Sequence, residues 1–186
     1  MLIRHATPED AGGCLEIYAP FANETAVSFE HEAPSLDEYA QRIMRVSRTH
    51  AFLVAEQESG IAGFAYAGVH RERMSYRWTC EVSVYLAAEH RGHGLGRALY
   101  ETLFSLLEQQ GYRMLLAGIT TPNPASVRLH TSLGFEEVGV YRRIGWKAGD
   151  WRDVMWLARS IGAETHETEL PPPPGPPARL PQPIAL

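Results

Sequence analysis

The residues of this chain with the plainest capacity for chemistry are Arg91, Gly92, His93, Gly94, Leu95, Gly96 and Arg97. Three glycines alternate there, and a helical pattern starts at once. Leu95, Ala98, Leu99, Thr102, Leu103, Leu106 and Leu107 fall at the spacing of an amphipathic helix. The first N–H groups of a helix have no partner within it. With no Cβ in the way, several such amides can converge on one anion, and the helix dipole adds to the attraction. That is phosphate chemistry without a committed side chain. Just upstream, Thr79, Glu81, Ser83 and Tyr85 alternate with Cys80, Val82, Val84 and Leu86. A period of two marks a half-buried strand, so an acid, a hydroxyl and a phenol share its polar face. Further along, Asn123, Ser126 and His130 lie at i, i+3 and i+7, one stripe of a helix facing a single partner.

Two better-known phosphate loops do not fit. A G-x-G-x-x-G loop begun at Gly92 needs its third glycine where Arg97 stands, and G-x-x-x-x-G-K-[ST] occurs nowhere. What fits is R-x-x-G-x-G, residues 91–96, between a strand and a helix. A glycine turn that merely admits the chain into a helix is the alternative.

Positioning these groups requires a framework. Residues 2–5 read as a strand, and Thr7, Pro8, Glu9 and Asp10 open a helix that runs to Pro20. Residues 23–30 look extended around Val27 and Phe29. Ser35 and Glu38 make a capping box for a helix to about Arg48, with Leu36, Tyr39, Ile43 and Met44 inward. Residues 51–56 and 61–67 form a hairpin about Ser59 and Gly60. A polar connector, residues 70–77, leads into the central strand. Residues 113–119 are a strand, 125–133 a short helix, and 136–146 with 151–158 a closing hairpin. From about residue 164 prolines crowd the chain, and the expectation is a disordered tail, 164–186, outside a single domain of residues 1–163.

Composition bounds the function. The chain has 186 residues, enough for one domain with a real core, and a formal net charge of −5. Its basic residues are scattered, which leaves no footprint for nucleic acid. Cys14 and Cys80 are too few and too far apart for a disulfide framework or a metal site. No run reaches the length of a membrane span, and the N-terminus is too short in apolar residues for a signal peptide. The expectation is a cytoplasmic protein with no metal, no nucleic acid and no membrane partner.

Residues 76–86, the glycine loop and residues 123–135 together resemble the phosphinothricin and methionine sulfone (sulfoximine) N-acetyltransferase branch of the GNAT acetyltransferase superfamily. Gly145, Trp146, Lys147, Gly149, Asp150, Trp151, Arg152, Asp153 and Val154 are similar to that branch's final hairpin. The likeness covers the chain to about Ala158. Cys80 and Leu86 depart from the usual small aliphatic and valine.

The resemblance implies an α/β GNAT fold: a mixed, mostly antiparallel sheet with helices on both faces. It implies acetyl-CoA as cosubstrate, bound by residues 91–97, by the backbone of Val84, Tyr85 and Leu86 where the strand splays from its neighbour, and by Asn123 and Ser126. It also implies a homodimer and a small-molecule amine as substrate. Transfer to an amine needs a neutral nitrogen, and Glu81 is the candidate base. A strand glutamate paired with Arg71 or Arg77 is its rival reading. Backbone N–H groups at residues 84–86 are candidate donors to the carbonyl oxygen. His130 lies near the sulfur, as a proton donor or as an ordinary hydrogen-bonded histidine, and Asn123 doubles as a helix cap. Arg71 and Arg73, with Tyr76 and Ser83, are candidates for the substrate. Planar guanidinium groups suit carboxylate or phosphinate, although solvated loop charges would look the same. The expected activity is direct N-acetylation of a small amino acid or analogue. Acetylation of a protein or another amine, and a coenzyme A-binding regulatory domain without turnover, are the rivals.

Overall fold

The structure is a computed structural model that describes residues 1–162 and 170–186. Its frame is an eight-stranded sheet in the order β6-β7-β5-β4-β3-β2-β1-β8. The strands are β1 (Leu2–His5), β2 (Phe52–Gln57), β3 (Gly60–Val69), β4 (Thr79–Leu86), β5 (Met114–Thr121), β6 (Glu136–Lys147), β7 (Asp150–Ser160) and β8 (Ile184–Ala185). Neighbours run antiparallel except β4 and β5, which are parallel. The helices are α1 (Ala11–Glu24), α2 (Leu36–Ser47), α3 (Leu95–Gln110) and α4 (Pro124–Ser132).

Helices cover both faces of the sheet. Cys80 and Val82 point into one core with Leu99, Leu103, Leu107 and Leu115, against which Val127 and Leu129 of α4 pack. On the opposite face Phe52, Val54 and Phe64 meet Ile17, Tyr18, Tyr39 and Ile43 from α1 and α2, with Tyr85 packed alongside. Each core draws the apolar side chains of alternating strands out of water, the main favourable term in folding.

Three expectations need correction. Helix α1 does not stop at Pro20 but runs to Glu24. Pro20 is exposed, so the helix bond it cannot make leaves a carbonyl that water can reach. Residues 25–34 are accordingly not a strand. They form an irregular loop pinned by Tyr18 Oη to Ser28 Oγ at 2.7 Å and by Lys147, whose buried Nζ donates to the carbonyls of Ala22 and Glu30. On α2 the buried stripe narrows to Tyr39 and Ile43, while Leu36 and Met44 are exposed.

The proline-rich tail also differs from expectation. The expected boundary at residues 163 and 164 lies outside the described residues, but residues 170–186 run along the domain. Trp78 Nε1 donates to Pro172 O at 2.8 Å, and Gln110 Nε2 donates to Gly175 O at 2.9 Å. Gly175 N–H donates to Gln110 O, and Leu180 N–H to His5 Nε2 at 3.0 Å. Beyond the last proline, Ile184 and Ala185 pair with Ile3 and Leu2 on the edge strand β1. Prolines lack N–H groups, yet their carbonyls still accept, and the few other residues supply the donors. A proline-rich segment can therefore dock where it cannot form a helix.

Candidate active site

The site is built where β4 and β5 part. Their pairing covers Thr79–Glu81 against Met114–Leu116 and then ends, while β5 continues to pair with β7 as far as Thr121. Above Glu81 the two parallel strands diverge. The amides of β4 divide by alternation. Ala87 N–H donates to Ala62 O on the β3 side. The same register places the amides of Tyr85 and Ser83 toward β3, opposite Phe64 and Tyr66. Val84 and Leu86 therefore turn theirs toward the opening. Of the three expected backbone contacts, two face the cleft. The third, Tyr85, has its amide directed to β3 and its ring among Tyr18, Phe21 and Phe64.

In the opening is a cavity of about 70 Å³ lined by Ser83, Val84, Tyr85, Asn123, Ser126 and His130, with Tyr100 and Val27. The structure thus brings the helical stripe to the splayed strand. Asn123 Oδ1 accepts from Ser126 N–H at 3.1 Å, so it caps α4. His130 is buried, and both ring nitrogens are engaged. Its Nδ1 lies 2.8 Å from Ser126 O, which can only accept, so Nδ1 carries the proton. Its Nε2 then accepts from the Tyr100 hydroxyl at 3.0 Å. Burial lowers the pKa of His130 and favours this neutral form. As placed, His130 has no N–H to spare for a leaving group.

At the end of β4 the glycine loop turns into α3. Gly92 and Gly94 both have positive φ, +81° and +87°, and a Cβ at either would meet nothing within 4 Å. Those two glycines serve backbone conformation and an open approach. Gly96 serves packing, since a Cβ there would lie 3.3 Å from Leu129 and 3.4 Å from Leu86. The amides of Leu95, Gly96 and Arg97 are the unpaired first turn of α3, and buried Leu95 anchors that turn in the core. His93 is exposed. Arg91 Nε donates to Leu86 O at 3.2 Å and its guanidinium lies over Phe21. The Arg97 guanidinium bonds Glu101 and Ser132, which leaves its amide as the group free for an anion. The loop fits a diphosphate by open backbone and dipole.

Glu81 lies on the polar face directly below the splay, its side chain 39% exposed, so water reaches the carboxylate. Its partner is neither expected arginine. Arg71 lies over Tyr76 and Arg77 over Trp78. His70 Nδ1 meets Glu81 Oε1 at 2.7 Å instead. Beside this pair a cavity of about 360 Å³ is lined by His70, Arg71, Leu116, Val138, Gly139, Val140, Tyr141 and Trp156. Arg73 and Tyr76 instead line a separate cleft of about 610 Å³, walled by Arg48, Arg77 and Pro173 to Pro177 of the tail. Only Arg71 of the two candidate arginines reaches both. Sequence reasoning missed His70, Tyr100, Tyr141 and Trp156. His70 follows the end of β3, and only the β3–β4 register, with Gly68 opposite Glu81, brings it diagonally beside that carboxylate.

A helix start with open amides, a splayed parallel pair and a carboxylate below the parting are parts that acyl transfer can use. Residues 3–156 match the acetyltransferase (GNAT) domain. The chain belongs to the GNAT acetyltransferases. Over 174 residues the acetyltransferase is 37% identical to phosphinothricin N-acetyltransferase of Streptomyces viridochromogenes, covering 94% of this chain and 91% of that one. It is 34% identical to the L-methionine sulfoximine/L-methionine sulfone acetyltransferase of Salmonella typhimurium, covering 84% and 92%. Among solved structures, a GNAT superfamily phosphinothricin acetyltransferase from Sinorhizobium meliloti, in complex with AcCoA, superimposes with a TM-score of 0.84 at 34% identity, covering 90% and 92%. The acetyltransferase is an acetyl-CoA-dependent enzyme of mixed, mostly antiparallel sheet. Among its described residues no helix is long and apolar enough to cross a membrane.

Proposed function

We propose that this acetyltransferase N-acetylates a small amino acid or analogue of the phosphinothricin or methionine sulfone/sulfoximine type by direct transfer, without an acyl-enzyme. The observation that carries the reading is Glu81 at the base of the splay, on the same strand as the amides of Val84 and Leu86. Acetyl-CoA supplies the thioester. Residues 91–97 hold its diphosphate through backbone amides, and Asn123 and Ser126 flank its arm. Glu81 takes the ammonium proton directly or through one water, which frees the nitrogen lone pair. The N–H groups of Val84 and Leu86 point where carbonyl charge develops, in a cleft that needs no reorganisation to receive it. Arg71, beside Trp156 and Tyr141, meets the acidic group of the substrate; a planar guanidinium matches carboxylate and phosphinate oxygens pairwise.

The test is thiol release from acetyl-CoA across amino acids, sulfones, sulfoximines, phosphinates and simple amines, with Glu81→Gln beside wild type. Glu81→Gln should keep acetyl-CoA affinity in calorimetry within about two-fold and lose roughly 10²–10⁴ in kcat. Unchanged turnover removes Glu81 from the chemistry, and turnover confined to simple amines removes the substrate class.

Val138, Tyr141, Ile144, Trp146 and Trp151 on the β6–β7 hairpin are all exposed. An apolar patch of that kind marks an interaction surface, and we infer that a second copy of the chain covers it. Sedimentation equilibrium should return twice the monomer mass. A monomer at micromolar concentration would refute the dimer.

A further inference from the structure

We propose that His70 is a positioning residue of the transfer site, holding Glu81 through Nδ1–H so that one carboxylate oxygen faces the incoming amine. The inference rests on Glu81 acting as the base. A glutamate has three side-chain torsions, and on a partly exposed strand face it would sample several of them. His70 removes that freedom. Its Nδ1 lies 2.7 Å from Glu81 Oε1, the length of a charge-assisted hydrogen bond to a carboxylate. This bond occupies Oε1 and leaves Oε2 for the ammonium proton.

His70 is itself fixed. Its side chain is 15% exposed, and its ring meets those of Tyr76 and Trp156 edge to face, each at 5.8 Å. The backbone delivers the ring to this place. Gly68 pairs with Glu81 and Val69 with Cys80, so the next residue of the connector falls beside the carboxylate. His70 also lines the 360 Å³ cavity that Arg71 and Trp156 share, whereas Glu81 does not. The imidazole thus stands at the edge of the substrate cavity next to the base. Misplacement of a reacting group by about 1 Å can cost on the order of 10² in rate, which is the scale of effect expected of such a holder.

Steady-state kinetics of His70→Ala, His70→Asn, Glu81→Gln and the double variant test this. An asparagine amide nitrogen sits close to where imidazole Nδ1 sits, so His70→Asn restores the donor alone. His70→Ala should lower kcat about 10- to 100-fold while KM for acetyl-CoA changes less than about two-fold. His70→Asn should recover kcat to within about three-fold of wild type. Glu81→Gln with His70→Ala should be no slower than Glu81→Gln alone, because residues acting through one another are not additive. If His70→Ala disturbs folding, His70→Leu, of similar bulk without the donor, carries the same expectation. With Glu81→Gln inactive, a His70→Ala enzyme within two-fold of wild type overturns the role of His70 and spares that of Glu81. So does a His70→Asn enzyme as slow as His70→Ala. An active Glu81→Gln enzyme instead overturns the base reading, and this proposal with it.

Discussion

At Gly94 the backbone lies at φ +87°, and the residue caps the N-terminus of α3. Side chains rarely adopt that conformation, but asparagine and aspartate tolerate it better than most. The pair Gly94→Asn and Gly94→Asp therefore separates conformation from charge. Both carry similar strain, while only the aspartate places a carboxylate among amides arranged for an anion. Acetyl-CoA should bind Gly94→Asp at least about 30-fold more weakly than Gly94→Asn, the equivalent of roughly 2 kcal/mol of repulsion. Calorimetry that returns equal affinities would move the diphosphate elsewhere. His130 shows the reverse case of a polar side chain committed inward. Its two bonds and its burial make it a brace between α3 and α4.

Between elements, the joint that ties the end of α2 to the start of β5 is polar and buried. His50 Nε2 and the Tyr112 hydroxyl lie 2.7 Å apart, the rings stack, and Thr49 Oγ1 is 2.8 Å from Nδ1. Gln110, the last residue of α3, donates to Thr49 O across the same joint. Burial pushes the His50 imidazole down from 6.5 to about 4, because the charged form loses water without gaining an acid. In that window the unfolded chain binds a proton that the folded chain refuses. Stability is therefore fully present above about pH 6.5 and is lost as pH falls toward 4. The complete difference is about 3 kcal/mol, or roughly 6–12 °C in Tm for a chain this long. Calorimetric melts between pH 7 and 4.5 should show the decline, and His50→Gln should flatten it. Parallel slopes for the two proteins would exclude His50 as its source. His5 and His130, also pushed down by burial, act in the same direction.

Across the whole molecule, the chain closes on itself. The edge strand β1 would present unpaired backbone groups to any neighbour, and residues 184–185 cover part of it. Ala178 and Leu180 pack against the main core on the way there. Ending the chain after residue 169 removes those contacts and the bonds to Trp78, Gln110 and His5. The shortened protein should melt several degrees lower, on the order of 1–3 kcal/mol, and aggregate more at high concentration. Its KM for acetyl-CoA should hold, since among the described residues 170–186 make no hydrogen bond to residues 91–97. An unchanged Tm would show that the tail contributes nothing to the fold.

Much of this site is written in local pattern. Alternation along residues 79–86 is enough to put Glu81 on a polar face, because a strand's side chains have no other option. Alternating glycines before a helical period announce open amides at a helix start, and Ser35 with Glu38 announces a capping box that forms as expected. The groups that sequence left open are those whose neighbours come from distant segments. His70 beside Glu81, Tyr100 beside His130 and the tail beside Gln110 are matters of register and packing. No local period encodes them, for each depends on where two separately formed elements come to rest. The same holds for the parting of β4 and β5 above Glu81, which follows from how β5 is drawn along β7 instead. Residue type and spacing determined which groups could react; the meeting of the strands decided which of them face one another.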